Sequence, residues 1–265
     1  MAINKEGSAY TFGFAALMVI ITGASLALVS LGLSSNIKKN EADKKMMDIL
    51  SSINVESERT NAAQIFNSVV KERILLDADG TVIRTMNTDV DPANLEDPFN
   101  VDVQKDYKQK ISKLVQANKN DKPVLLEKVS EQDVQYPLFR CEKEGETYYV
   151  VPMVGTGLWG PVWGYIAMKD DLKTVYGASF DHKTETPGLG AEIKEDFFEK
   201  QFTGKSIYED GQYVSVSVVK AGKAGDSEYA VDGITGGTIT STGVSEMIYR
   251  TLAIYDNYFK TQRAS

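Results

Sequence analysis

The sequence predicts an α+β protein: a single N-terminal transmembrane helix followed by a mixed α+β domain. Two observations carry that expectation. From Tyr10 to Leu33 the chain is apolar without a single charge, and beyond it helix-periodic and strand-alternating segments interleave with no repeat and no low-complexity linker. With 265 residues, 42% of them hydrophobic, the chain can build a real core. A net charge of −8 lacks the basic footprint of a nucleic-acid binder, so no nucleic-acid partner is expected. The expected division is a short segment over 1–9, a transmembrane helix over 10–33, a helical linker with the first part of the extramembrane domain over 34–120, and the main extramembrane domain over 121–265.

The anchor comes first. Its only polar groups are the hydroxyls of Tyr10, Thr11, Thr22, Ser25 and Ser30, which can bond back to the preceding turn. At about 1.5 Å per residue the stretch exceeds a hydrocarbon core of about 30 Å. It is too long for the apolar region of a cleaved signal peptide, about 7–15 residues, and its flank Leu33-Ser34-Ser35-Asn36 offers no clear small-x-small cleavage site. Lys38, Lys39, Lys44 and Lys45 outnumber Lys5, so the lysine count alone puts the C-terminal side in the cytoplasm.

The elements then follow in order. Met46, Met47, Ile49 and Leu50 stripe a polar helix over 38–53, and a second helix is expected from Arg59 to Lys71. Ile74-Leu75-Leu76 and Val82-Ile83 flank Asp79-Gly80, a hairpin signal. Asp97 and Pro98 suit the cap and first residue of a helical segment reaching Ala117. From Pro123 the pattern reads as strands: Val124-Leu125-Leu126, Leu138 to Glu142, Thr147 to Val151, and Tyr165 to Met168. A helix fits Ala191 to Phe202, an alternating strand Tyr213 to Val219, and a final helix Val244 to Phe259. The buried face of that last helix is expected to comprise Val244, Met247, Ile248, Thr251, Leu252, Tyr255 and Phe259.

Cysteine and histidine chemistry is scarce. Cys141 is alone, so neither an internal disulfide nor a Cys-x-x-Cys metal site can form. His182 is the only histidine and reads as a loop or surface residue, though an imidazole can serve as a general base. Electron chemistry on this chain would therefore need an organic cofactor.

The glycine-rich stretches are where such a group fits. Asp232 to Gly243 combines Thr235, Thr238 and Thr240 hydroxyls with Gly236 and Gly237, which admit close backbone approach. Ser241 or Thr242 suits the cap of the last helix, with Glu246 completing a capping-box-like arrangement, and a helix amino end favours a phosphate. The same composition is also ordinary loop chemistry, and spacing does not choose among the threonines. Glu185-Thr186-Pro187-Gly188-Leu189-Gly190 and the 155–165 stretch, with Leu158, Trp159 and Trp163 among four glycines, supply two more such loops. Tryptophans there read either as core packing or as one side of a sandwich around a flat ring. There is no P-loop and no Gly-x-Gly-x-x-Gly opening a βαβ unit.

Together these residues resemble, over nearly the whole chain, the membrane-anchored FMN-binding subunit (the C subunit) of the sodium-translocating NADH:quinone oxidoreductase. The resemblance rests on the anchor, Gly-Leu-Trp-Gly-x-x-x-Gly-Tyr at 157–165, Glu-Thr-Pro-Gly-Leu-Gly at 185–190, and an Asp-x-x-Ser/Thr-Gly-Ala-Thr motif matched by Asp232, Thr235, Gly236, Gly237 and Thr238. Gly237 departs from the usual alanine. The related G subunit of the Rnf electron-transport complex shares the threonine motif and Glu-Thr-Pro-Gly. The Gly-Leu-Trp-Gly loop and the longer region before residue 120 favour the quinone reductase.

The resemblance implies an FMN-binding domain over 121–265 with covalent FMN on Thr238 through a phosphoester. Thr235, Gly236, Gly237, Ile239, Thr240, Glu185, Thr186, Gly188, Leu189, Leu158 and Trp159 are expected around it. Asp232 would be read by the flavin transferase, which uses FAD as donor; no catalytic residue and no metal ligand is implied. Electrons would pass from an iron–sulfur centre in other membrane subunits to this FMN, then to the covalent flavin of the B subunit and on to quinone as sodium is moved. The domain would lie on the periplasmic side of the bacterial inner membrane, against the lysine count. The alternative from another class is a membrane-tethered binding or scaffolding domain without cofactor.

Overall fold

The computed structural model describes residues 7–264. Lys5, the rest of 1–6 and Ser265 lie outside the described residues, and with them most of the expected 1–9 segment and one side of the lysine count. The chain falls into two compact units, one running to Lys44 and the other starting at Lys45.

The first unit is a single helical rod. Helix α1 spans Ser8–Ser52, and the apolar stretch within it exposes its side chains all round. Its hydroxyls bond back as their chemistry allows: Thr22 Oγ1 donates to Met18 O at 2.7 Å, and Ser34 Oγ to Leu31 O at 2.9 Å.

The second unit is built on a six-stranded antiparallel sheet in the order β2-β1-β3-β4-β5-β6. Its strands are β1 (Val70–Leu76), β2 (Val82–Met86), β3 (Tyr136–Lys143), β4 (Glu146–Thr156), β5 (Pro161–Lys169) and β6 (Val175–His182). The hairpins are set by backbone chemistry. Asp77 Oδ1 accepts from the N–H groups of Asp79 and Thr81 around Gly80, whose φ is +78°. Glu144 and Gly145, at φ +56° and +85°, form the two-residue turn between β3 and β4 that both central residues need positive φ to make.

Both faces of the sheet are covered. Phe139 of β3 meets Phe66 and Phe99 edge-on, with ring centroids 6.3 and 6.5 Å away. Phe66 belongs to helix α2 (Ala62–Val69), and Phe99 to a 3₁₀ turn at Pro98–Asn100 that Asp97 caps through Phe99 N. Met46, Ile49 and Leu50 at the end of α1 and Ile53 just beyond it are also buried, and Lys143 Nζ donates to the carbonyls of Ile53 and Asn54. The buried amine of Lys45, held by the Phe99 and Val101 carbonyls, is pushed down to about 8 by loss of solvent. On the other face Leu138, Val151, Met153 and Ile166 join the cluster formed with helix α7 (Thr238–Arg263). Every residue expected on that helix's buried face is buried.

Several elements differ from expectation. Helix α2 stops at Val69 and Lys71 already lies in β1. Helical segments occupy α3 (Val103–Asp106), a π turn at Tyr107–Ile111, and α4 (Ser112–Asn118). Val124-Leu125-Leu126 is not a strand but part of α5 (Lys122–Ser130): Asp121 accepts from Val124 N and Pro123 sits in the first turn, so capping overrides the apolar run. The helix expected over 191–202 breaks into a 3₁₀ turn at Gly190–Lys194, α6 (Asp196–Glu199), and a 3₁₀ turn at Lys200–Phe202. The strand expected over 213–219 is cut in two by Ser215 at φ +67°. Its halves are β8 (Gln212–Tyr213), paired with β7 (Tyr208–Glu209), and β9 (Ser217–Val219), paired in parallel with β10 (Ala230–Asp232).

Candidate functional site

The site begins where α7 meets the end of β4. A Cβ added at Gly243 would lie 2.0 Å from Thr156 O, and one at Gly155 would lie 2.8 Å from Met247 Cβ. Only glycine lets the helix settle this close to the sheet. The helix starts earlier than expected, at Thr238 with Gly237 as N-cap, rather than near Val244. Ser241 and Thr242 are therefore not caps. Ser241 is buried and its Oγ accepts from Ile234 N at 2.9 Å, Thr242 Oγ1 donates to Thr238 O, and Glu246 pairs with Arg250 at 2.7 Å. Among the described residues the backbone N–H groups of Thr238, Ile239 and Thr240 find no acceptor. These are the free donors of a helix amino end, where the dipole also favours negative charge.

One carboxylate ties the surrounding loops to that first turn. Glu185, 5% exposed, accepts from Trp159 N at 2.8 Å through Oε1 and from Thr240 Oγ1 at 2.6 Å through Oε2. Gly157 and Gly190 have no side chain because the Glu185 carboxylate occupies that space, 2.6 and 2.5 Å from their would-be Cβ positions. Thr184 Oγ1 adds a bond to Trp159 O at 3.1 Å. Glu185, expected around the cofactor, lines the cleft, but both of its oxygens are engaged by the protein.

The cleft between these segments encloses about 230 Å³ and is lined by Leu158, Glu185, Thr186, Leu189, Gly190, Gly236, Gly237, Thr238, Ile239 and Thr240. The structure thus brings most of the expected residues together. Gly236 sits at φ +76°, and a Cβ there would meet Leu189 Cδ2 at 2.6 Å, so the loop closes on its neighbour only as glycine. Thr238, Ile239, Leu158 and Leu189 are exposed at the mouth. Thr235 and Gly188 are exposed but do not line the cleft. The tryptophans part company: Trp163 packs half-buried against the core, whereas Trp159 is 66% exposed beside Leu158.

Asp232 stands apart at the end of β10. Its Oδ1 accepts from Lys223 N at 2.8 Å and Ala224 N at 2.9 Å, and the Ala224 N–H in particular holds its carboxyl below the usual range. His182 corrects the expectation of a loop or surface residue. It ends β6, half-buried, and its Nδ1 accepts from Glu185 N at 3.2 Å. Nothing in the sequence singles out Gly157, Gly190 and Gly243 individually, although all three lie inside the glycine-rich stretches.

A family model described as an FMN-binding domain matches residues 157–253, which contain the whole cleft. The crystal structure of the C subunit of Na(+)-translocating NADH-quinone reductase from Parabacteroides distasonis is 36% identical, with a TM-score of 0.68 over 86% of this chain and 96% of that one. Shewanella oneidensis NqrC shares the fold at 23% identity and a TM-score of 0.62, over 87% of this chain and 100% of its own. The Haemophilus ducreyi protein named as the C subunit of Na(+)-translocating NADH-quinone reductase is 27% identical over 241 residues, 91% of this chain and 88% of its own.

Proposed function

Because the chain belongs to the family of the C subunit of Na(+)-translocating NADH-quinone reductase, we propose that it is the FMN-carrying electron-transfer subunit of such a membrane complex, with the flavin phosphate esterified to Thr238 Oγ1. One observation carries the site assignment: Thr238 is the exposed first residue of a 26-residue helix, beside free N–H donors, at a cleft walled by glycine loops. A phosphate ester at that oxygen sits where the helix end favours anions. Gly236 and Gly237 allow backbone approach. The cleft, smaller than the roughly 300–1,000 Å³ of common ligand pockets, suits the phosphate end and leaves the ring to the exposed apolar groups of Leu158, Trp159, Leu189 and Ile239.

Bound FMN supplies the redox chemistry, and the protein supplies position and environment. Thr238 is an acceptor hydroxyl rather than a nucleophile used in turnover. Thr235, Thr186 and Gly188 complete the loops around the cleft. Asp232 is the residue the flavin transferase would recognise in loading the cofactor, and the N–H groups of Lys223 and Ala224 that donate to it hold its carboxylate in one orientation.

In the complex, electrons arrive from an iron–sulfur centre and leave toward the flavin of the B subunit and quinone. Helix α1 anchors the chain through residues 10–33 in the bacterial inner membrane, with the flavin domain, 121–265, on the periplasmic side. The decisive experiment is a denaturing gel and a tryptic mass spectrum of chain matured with the transferase. Flavin fluorescence should stay with the polypeptide, map to the Thr238 peptide, and vanish in Thr238→Ala. A matured chain without flavin on that peptide overturns the assignment.

A further inference from the structure

The cleft's clamp is itself held from behind. The N–H of Glu185 donates to His182 Nδ1 at 3.2 Å, while His182 Nε2 is buried with no hydrogen-bond partner among the described residues. An accepting Nδ1 places the ring proton on Nε2. The other tautomer would set two N–H donors against each other and leave a bare nitrogen lone pair buried. A buried group left unsatisfied calls for a reason, and here the reason lies on the opposite side of the ring. The His182 backbone is steadied by its own N–H bond to Asp181 Oδ1 at 2.8 Å. Fixing the Glu185 amide fixes the base of a side chain whose carboxylate reaches Trp159 N on one wall and Thr240 Oγ1 on the other.

We propose that His182 is a positioning residue for the flavin site. As the Nε2–H tautomer it orients Glu185, and through Glu185 it sets the spacing between the Trp159 loop and the first turn of α7. Its relevance to flavin chemistry rests on the proposed function above; the contacts themselves do not. Because the chain has one imidazole, its nitrogen resonances are unambiguous.

The test uses full-length chain, with and without flavin, labelled at histidine nitrogen. The resting spectrum should show the Nε2–H tautomer in both forms, and in Thr238→Ala. His182→Leu should speed hydrogen exchange at the Glu185 and Trp159 amides at least tenfold and shift the flavin midpoint potential in the same direction as Glu185→Ala. His182→Asn, whose Oδ1 can take the place of Nδ1, should restore both. An Nδ1–H tautomer in the unsubstituted chain overturns the proposal even if the leucine variant fails to fold, as does unchanged exchange in that variant. Covalent flavin retained in Thr238→Ala with the tautomer unchanged would instead count against Thr238 as the attachment point while leaving the role of His182 standing.

Discussion

At Gly237 an added Cβ would lie 3.0 Å from Ile234 Cβ and 3.3 Å from Gly190 N, at backbone angles that alanine readily adopts. Ile234 would have to yield by a few tenths of an ångström. Gly237→Ala, which restores the residue usual in the motif, is therefore expected to change stability by no more than about 1 kcal/mol and to leave flavin loading intact, as melting curves and in-gel fluorescence would show. Gly243→Ala is a different case, since its Cβ would fall within bonding range of Thr156 O. The expected loss is about 1–3 kcal/mol or more, together with displacement of the helix end that carries Thr238.

Glu199 makes a pH prediction. Burial pushes its carboxyl up from 4.5 to about 7, aided by Asp196, Asp48 and Asp181 and opposed by the N–H of Phe180, which donates to it at 2.6 Å. The folded chain holds a proton there that the unfolded chain releases, so stability falls as pH rises from about 4.5 to about 7. Glu199→Gln should flatten that part of the profile in thermal melts.

Elements with local grammar are legible in the sequence, and those shaped by distant neighbours are not. The apolar stripe of α7 and the Asp79-Gly80 hairpin announce themselves. Strand β6 gives no signal because Gly177, Ala178 and Ser179 lack strand propensity. Gly177 is there for packing: a Cβ would come 2.5 Å from Ser52 O at the end of α1. Helix α5 reads as a strand because its cap lies outside the apolar run that draws notice. Asp121→Ala should cost about 1 kcal/mol in chemical denaturation, which tests that account. Asp97 carries more, since it caps the Pro98–Asn100 turn and pairs with Arg73 at 2.8 Å, both side chains 1% exposed. Asp97→Ala leaves the guanidinium buried without its partner, at an expected cost of about 3–5 kcal/mol. Around the cleft, the three glycine loops can be read from sequence, but that one carboxylate joins them cannot, because nothing local marks Glu185 as buried.

Over the whole molecule, the apolar rod and the folded unit from Lys45 onward ask for different surroundings. Residues 10–33 expose apolar side chains all round and require lipid or detergent, whereas the buried core begins at Met46. A chain shortened to residues 38–265 should be soluble without detergent and melt cooperatively. Aggregation of that chain under conditions where the full chain in detergent stays folded would mean the rod contributes to the core.

Helix α7 is gripped at both ends. Gly243 lies against Thr156 near its start, and the Gly80 turn abuts the backbone of Asn257 and Tyr258 near its finish. A helix of roughly 39 Å packed this closely at both ends is fixed in register against the sheet it covers. Under the proposed linkage, the phosphate end of the cofactor would stay fixed relative to the sheet, so any swing of an electron carrier between two stations would have to arise from rotation along the ribityl carbons or from travel of the folded unit as one body.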